Sequence, residues 1–167
     1  MLKSGVILAV CTSPNSNLPK YMQPEVVVGK FGFVGDYHCK PMRRSFSKPG
    51  TEKPNDDRHI TVLAFEAVCA VNHELGLDLQ PGSLAENILT QGLGDLSDVR
   101  DGQIIRIGQF IQLDVVKQNK PCKNTAVLHP EFNKTIYHPL KQRRGLLCKV
   151  TRGVGLTIRP GDVIKIL

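Results

Sequence analysis

The residue best suited to chemistry is Cys122, which stands in the run Lys120-Pro121-Cys122-Lys123. Neighbouring positive charge favours the thiolate over the neutral thiol, and the thiolate is the form that attacks electrophiles and binds metals. The ring of Pro121 limits the backbone conformations of the segment that presents the sulfur. The run therefore predicts one reactive sulfur in a basic environment, although taken alone it also fits an ordinary loop cysteine.

The other four cysteines indicate neither a disulfide framework nor a structural zinc site. Their number with Cys122 is odd, and no C-x-x-C pair occurs. Cys11, Cys69 and Cys148 stand in apolar runs and are predicted to be small core residues. Cys39 has polar, basic neighbours and is the competing candidate for thiol chemistry.

A glycine-rich run ends in a carboxylate and an imidazole, Asp36 and His38. The glycines at 29, 32 and 35 allow positive φ or a close approach of the backbone to a ligand. Their spacing differs from the dinucleotide fingerprint and no helix pattern follows, so a Rossmann site is not indicated. By itself the run is typical of a structural turn, and it gains meaning only with the motifs that follow.

Two further polar motifs lie downstream. Glu86 and Asn87 follow a Pro81-Gly82 turn and precede a strand-like segment. Adjacent strand residues point to opposite faces, so we expect one of the pair to enter a pocket and the other to hold the loop by hydrogen bonding, in either order. Arg143 and Arg144 precede a predicted strand, where arginines can clamp a phosphate; a solvated charge run is the alternative.

Positive charge is concentrated in the last third of the chain. Residues 1–110 hold 11 Lys/Arg against 12 Asp/Glu, whereas residues 111–167 hold 11 against 3. Such a region attracts anions. It lacks the interleaved aromatic residues that stack on bases and any recognition helix, so a small anionic ligand is favoured over nucleic acid.

Strand patterns dominate the chain. One helix is predicted over Phe65–Leu75, where apolar residues recur at helical spacing and Gly76 provides a stop. Ser45–Arg58 is predicted to be a loop beside the site. The fold class is therefore mainly β, a β-barrel or folded-over sheet with one or two inserted helices. The predicted strands are Gly5–Cys11, Glu25–Gly29, His59–Ala64, Ile104–Ile107, Phe110–Val116, Leu146–Thr151 and Val163–Leu167.

Length and composition fit one domain over residues 1–167, because a chain of this size can bury a core without disulfides. No apolar run approaches the length that spans a bilayer. The N-terminal apolar stretch is short and lacks a cleavage pattern, so it is predicted to be the first strand rather than a signal peptide. We expect a cytoplasmic protein with no membrane contact.

Together and in this order, the motifs resemble the MOSC domain, which is named for the C-terminal part of molybdenum-cofactor sulfurases and also occurs as small stand-alone bacterial proteins. The resemblance extends from about Gly29 to Asp162. The E-N-I and P-C elements are its most specific parts. Its motifs are G-x-x-G-D-x-H, R-H-I-T-V with Glu66, P-G-x-x-x-E-N-I, D-G-x-x-I-x-I-G, P-C, R-G and P-G-D.

The resemblance implies a barrel like the small barrel domain of pyruvate kinase. It also implies that the ligand is molybdenum cofactor, a pterin dithiolene bearing a phosphate, and that Cys122 carries a persulfide or ligates molybdenum. Lys120, Lys123, Arg143 and Arg144 are the candidates for binding the anion. The residues expected to line or brace the site are Gly35, Asp36, His38, Arg58, Glu86 and Asn87.

Three functions stay open on these grounds. The first is a molybdenum-cofactor enzyme that reduces N-hydroxylated substrates, the second a sulfur carrier that uses a Cys122 persulfide, and the third a nucleic-acid-binding barrel with an inert thiol. The chain carries no segment resembling the aminotransferase-like domain of the sulfurases and no iron–sulfur signature. Pyridoxal phosphate chemistry or electrons would therefore come from a separate sulfurtransferase or redox partner.

Overall fold

The computed structural model describes residues 2–16, 19–45, 47–121 and 137–167. Cys122 and Lys123 lie outside the described residues, so their predicted roles stay predictions. The helices are α1 Phe65–Leu75 and a single turn, α2 Tyr137–Leu140. The strands are β1 Lys3–Thr12, β2 Tyr21–Gln23, β3 Val26–Gly29, β4 Gly32–Phe33, β5 Met42–Arg44, β6 Glu52–Pro54, β7 Ile60–Ala64, β8 Ile88–Gln91, β9 Ile104–Ile107, β10 Ile111–Gln118, β11 Leu146–Arg152, β12 Thr157–Ile158 and β13 Val163–Ile166.

Seven strands close into a barrel. They follow the order β13-β9-β10-β11-β7-β8-β1, and β1 pairs back onto β13. Neighbouring strands are antiparallel except β7 and β8, which are parallel and are joined through α1, as a parallel connection requires. The mainly β barrel predicted from the sequence is confirmed, and the predicted first strand corresponds to β1.

The barrel interior is filled by alternate residues of its strands. In β9, β10 and β13 buried and more exposed positions alternate, as a strand with one face on a core requires. Burial of these branched aliphatic side chains is the main stabilising contribution. The inward-facing residues of these three strands are Ile105, Ile107, Ile111, Leu113, Val115, Ile164 and Ile166.

Helix α1 packs on the outside of the barrel. It has the predicted bounds, and Gly76 ends it in the left-handed conformation with φ 62°. Its Val68 and Val71 join Leu89 of β8 in a second apolar cluster, separate from the barrel interior. Cys69 faces solvent on the same helix, so its predicted core position is wrong: the apolar stripe turns inward at its neighbours.

The other corrections concern very short strands. The prediction of one irregular loop over Ser45–Arg58 is wrong at Glu52–Pro54, which pairs with Met42–Arg44 as a hairpin. Strands of two or three residues carry too few positions to show a period of two, so β2, β4, β5, β6 and β12 gave no pattern in the sequence. Among the described residues, no helix is long and apolar enough to cross a membrane.

Candidate functional site

A buried polar cluster is centred on Asp36, at the end of the glycine-rich turn. Its Oδ2 accepts hydrogen bonds from Lys20 Nζ at 2.8 Å, from the Ser13 backbone N–H at 3.2 Å and from Asn87 Nδ2 at 3.3 Å. Its Oδ1 accepts one from the His38 backbone N–H at 3.0 Å and lies 3.4 Å from His38 Nδ1. One carboxylate therefore ties together three separate segments of the chain.

Lys20 and Asp36 form an ion pair that water scarcely reaches, since their side chains are only 4% and 2% exposed. Burial alone would raise the pKa of Asp36, but the hydrogen bond from His38 and the Lys20 ammonium outweigh it and hold that pKa well below its usual range. Burial lowers the pKa of Lys20, and the Asp36 charge opposes that shift. Each charge is therefore tolerated only because the other is present.

Asn87 uses both ends of its amide to brace the cluster. Its Nδ2 donates to the Cys11 carbonyl at 3.2 Å as well as to Asp36. Its Oδ1 accepts from the Thr61 hydroxyl at 3.1 Å and the Thr61 backbone N–H at 3.2 Å. The side chain thus links β1, β7 and the Asp36 turn.

Glu86 holds the Pro81-Gly82 turn. Its two oxygens accept from the backbone N–H groups of Gly82 at 2.6 Å and Leu84 at 3.2 Å. Burial raises its pKa, and the nearby Arg144 guanidinium, which donates to the Leu84 carbonyl, opposes that shift. Glu86 and Asn87 are therefore both buried and both hold backbone, rather than dividing between a pocket and a loop.

A second buried pair positions the backbone around His38. Asn55 Nδ2 donates to the His38 carbonyl at 3.3 Å and to the Lys40 carbonyl at 3.1 Å. His59 Nδ1 accepts from the Val150 N–H at 3.1 Å, so the proton is on Nε2, which donates to the Asn55 carbonyl at 2.6 Å. The sequence did not predict these roles: Asn55 stands among polar neighbours, and His59 was placed only in the R-H-I-T-V motif at the start of a strand.

The predicted cations that the structure describes, which exclude Lys123, do not converge on one point. Arg143 pairs with Glu74 of α1 at 2.6 Å, whereas its neighbour Arg144 is buried beside the Glu86 loop. Lys120 is exposed, and Arg58 is half-buried. Gly35 has φ +87°, and the position that a Cβ would occupy there borders open space, so the backbone beside Asp36 can be approached closely.

Three of the described cysteines, Cys11, Cys39 and Cys148, are poor nucleophiles. Burial raises the pKa of Cys11 to about 12 and also raises that of Cys148. Burial raises the pKa of Cys39 too, with Asp36 adding to the effect and a hydrogen bond involving the Phe31 backbone opposing it. Cys39 therefore lacks the depressed pKa expected of a competitor to Cys122.

Within the part of the chain that the structure describes, neither a metal site nor the surface cavity is supported as the functional site. No group of three or more His, Cys, Asp or Glu residues is arranged to hold a metal ion there. A surface cavity of about 480 Å³ is lined by both acidic and basic residues, so their charges largely offset each other, and none of the buried cluster lines it. Its lining is Glu74, Asp95, Ser97, Pro139, Lys141, Gln142 and Arg143.

Solved structures share this fold. The YuaD protein from Bacillus subtilis superposes with a TM-score of 0.90 at 18% identity, over 99% of this chain and 97% of that one. YiiM from Geobacillus stearothermophilus gives a TM-score of 0.69 at 20% identity, over 100% of this chain and 75% of that one. Identities this low show the shared fold alone. No curated protein matches the chain.

A family model identifies the sequence more specifically. The model of the MOSC domain matches residues 36–165, which is most of the 167-residue chain. The match begins at Asp36, includes Glu86, Asn87 and Arg144, and ends in β13. The chain therefore belongs to the MOSC domain family.

Proposed function

We propose that this MOSC domain binds molybdenum cofactor and handles its sulfur or metal through Cys122. The observation that carries the proposal is the family match over residues 36–165, because that segment contains Cys122 and most of the buried polar cluster. Membership of a family associated with molybdenum cofactor makes this ligand the first to test.

The burial of charge in the cluster supports a functional site. Lys20, Asp36, Glu86 and Arg144 are all less than a tenth exposed. Removing charges from water is costly, and apolar residues of similar size would often be as stable or more so. Perturbed, paired ionisable groups of this kind concentrate at functional sites.

The residues present fit an anionic pterin at the edge of the cluster. The His38 side chain is 51% exposed, and the backbone at Gly35 borders open space. Lys120 is exposed and stands two positions before Cys122 in the sequence, so it would add positive charge beside the thiol. Asp36, Glu86 and Asn87 would act as positioning residues, since their polar atoms already hold the surrounding loops.

The cofactor, when bound, would supply a metal centre that changes oxidation state, and the protein would supply orientation, charge and a thiolate. Reduction of N-hydroxylated substrates remains a prediction from the family resemblance. So do the sulfurtransferase or redox partner and the alternative of a sulfur carrier. The reductase and the sulfur carrier both need Cys122, as a thiolate or as a persulfide.

The test is to purify the protein after expression with molybdate, in parallel with Cys122→Ser and Cys69→Ser. Cys69→Ser is the matched control, because Cys69 is exposed on α1. Molybdenum by mass spectrometry, pterin fluorescence after denaturation and cyanide-labile sulfur are measured for each. We expect pterin or labile sulfur near one per chain in the wild type and Cys69→Ser, with the sulfur or metal lost in Cys122→Ser. Absence of all three signals from the wild type, or equal signals in all three proteins, would overturn the proposal.

A further inference from the structure

A row of outward-facing side chains crosses five barrel strands. The strand register aligns Ser4 with Lys165, Lys165 with Arg106, Arg106 with Gln112, and Gln112 with Arg152. We call these five residues the basic row. Its three cations are exposed, and the residues flanking Lys165 and Arg106 point into the barrel. With strands about 4.8 Å apart, the row spans about 14 Å from Lys165 to Arg152.

The cations of the basic row are not neutralised by the residues that the structure describes. Lys165 and Arg106 stand directly opposite each other, a cross-strand arrangement of like charges that destabilises a sheet. None of the three cations of the row forms an ion pair with a described carboxylate, whereas Lys117, Arg143 and Arg159 do. Asp114, a carboxylate in the adjoining row, is aligned with Lys149 and accepts a hydrogen bond from Gln112 at 3.2 Å.

The basic row lies far from the proposed cofactor site along the barrel axis. Gln112 is near the start of β10, whereas Gln118 ends that strand and leads towards Pro121. Six residues of strand separate the two by about 20 Å. A partner bound to the row would therefore leave the opposite end of the barrel open.

Apolar side chains adjoin the row. Val6 and Val163 are aligned across β1 and β13, two residues from Ser4 and Lys165, and are 39% and 47% exposed. Exposed apolar groups beside cations are typical of protein interfaces, where arginine is enriched and charge complementarity sets orientation. Nucleic acid is the weaker fit, because the row contains no aromatic residue for base stacking.

We propose that the basic row, together with Val6 and Val163, is the docking surface for an acidic segment of a partner protein. Carboxylates of that segment would lie over Lys165, Arg106 and Arg152, and its apolar side chains would cover the two valines. Positive charge was expected in residues 111–167, and the proposal assigns Arg152 and Lys165 of that region to a macromolecular partner instead of the cofactor.

Binding is tested with a fluorescent twelve-residue peptide of glutamates with interspersed leucines, its Glu→Gln counterpart, and a thymidine oligonucleotide of the same charge. The informative variant is Lys165→Glu. It places a carboxylate opposite Arg106, which replaces repulsion by attraction within the sheet while removing charge from the surface. Lys48→Glu is the matched control, because Lys48 is an exposed loop residue and the net charge changes equally.

We expect Lys165→Glu to weaken binding of the glutamate peptide about ten-fold at low salt. Its thermal midpoint should equal or exceed that of the wild type, so unfolding cannot explain the loss. Lys48→Glu should change the affinity less than two-fold, and the Gln peptide should bind weakly. Equal losses in both variants, absence of glutamate-peptide binding, or tighter binding of the oligonucleotide would each overturn the proposal.

Discussion

Asp36 is the central residue of the candidate site, because its two carboxylate oxygens contact five polar groups. If one partner of a buried ion pair is removed, the other is left as an uncompensated charge. Asp36→Asn should therefore lower the free energy of unfolding by about 3–5 kcal/mol at neutral pH. The combined variant Lys20→Met/Asp36→Asn should recover part of that loss, since neither charge remains.

Denaturant unfolding of these variants is the measurement, with Asp56→Asn as an exposed control. The folded pKa of Asp36 lies below its unfolded value of about 3.9. Its contribution is thus present at neutral pH and is lost as the pH falls from that value through the folded pKa. A double variant less stable than Asp36→Asn would contradict the ion-pair interpretation.

The environment of His59 predicts that the free energy of unfolding also depends on pH in a higher range than the one set by Asp36. Burial lowers its folded pKa below the ordinary value of 6.5, the Lys149 charge adds to that shift, and the hydrogen bond to the Asn55 carbonyl opposes it. Protonation would also place a proton on Nδ1, which accepts the Val150 N–H. The stabilisation is present above 6.5 and is lost as the pH falls from there towards the folded pKa. Between pH 7.5 and 5.5 the wild type should lose more stability than His59→Gln.

The measurement is urea unfolding at both pH values. His73→Gln is the control, since His73 is exposed in the last turn of α1. At pH 7.5 the His59→Gln change itself should cost about 1–3 kcal/mol, because buried partners lose a hydrogen bond. The same loss of stability on acidification in wild type and His59→Gln would rule out the role of the imidazole.

At the scale of single residues, the sequence identified Asp36, Glu86 and Asn87 because they stand in motifs with characteristic neighbours. Lys20 could not be identified in this way. It stands outside any periodic pattern, and its burial arises from contacts with Asp36 and with the Gly82 turn, which are distant in sequence. The sequence likewise could not show that Arg143 pairs with Glu74 of α1 while Arg144 donates to the Leu84 carbonyl in the Glu86 loop, because both contacts join segments distant in sequence.

Among the elements, the start of β11 allows a controlled test of backbone space. Gly145 has φ +77°, and a Cβ there would collide with the Val62 carbonyl of β7, whereas Gly155 has φ +88° with open space around it. Gly155→Ala should cost about 1 kcal/mol from conformation alone. Gly145→Ala should cost about 3 kcal/mol more or prevent folding, because the strand must also move.

Thermal and denaturant unfolding of the two glycine variants, with soluble yield, provide the comparison. Similar costs would mean that β7 and β11 separate easily at this position. The result matters for the site, because Gly145 also accepts the Asn119 N–H at 2.8 Å just before the Lys120-Pro121 segment.

The elements most accurately predicted were those with enough residues to show a period. Helix α1 and strand β9 have the predicted bounds, and β1, β10, β11 and β13 differ by one or two residues at their ends. The tight turn between β9 and β10 contains Gly108, which has φ 56°. The paired segments β5 and β6 were missed, since three residues each cannot establish a pattern.

Barrel closure is a property of the whole molecule. The closing pair joins β1 to β13, from opposite ends of the chain, and alternation within each strand would be the same in an open sheet. Residue patterns alone therefore left a barrel and a folded-over sheet open, and the resemblance to the MOSC domain favoured the barrel.

Removing residues 163–167 should abolish the cooperative thermal transition. The deletion takes away buried Ile164 and Ile166 and exposes the edges of β1 and β9. Removing Leu167 alone, which is 43% exposed, should change the midpoint little. Differential scanning calorimetry makes the comparison, and an unchanged transition in the longer deletion would show that closure contributes little to stability.

The most direct test of the proposed function is X-ray absorption at the molybdenum edge for the wild type and Cys122→Ser, both purified with molybdate present and matched for pterin content. A bound cofactor held through Cys122 predicts one more sulfur ligand in the wild type than in the variant. Equal sulfur counts in the two proteins, or no molybdenum in the wild type, would contradict metal ligation by this cysteine.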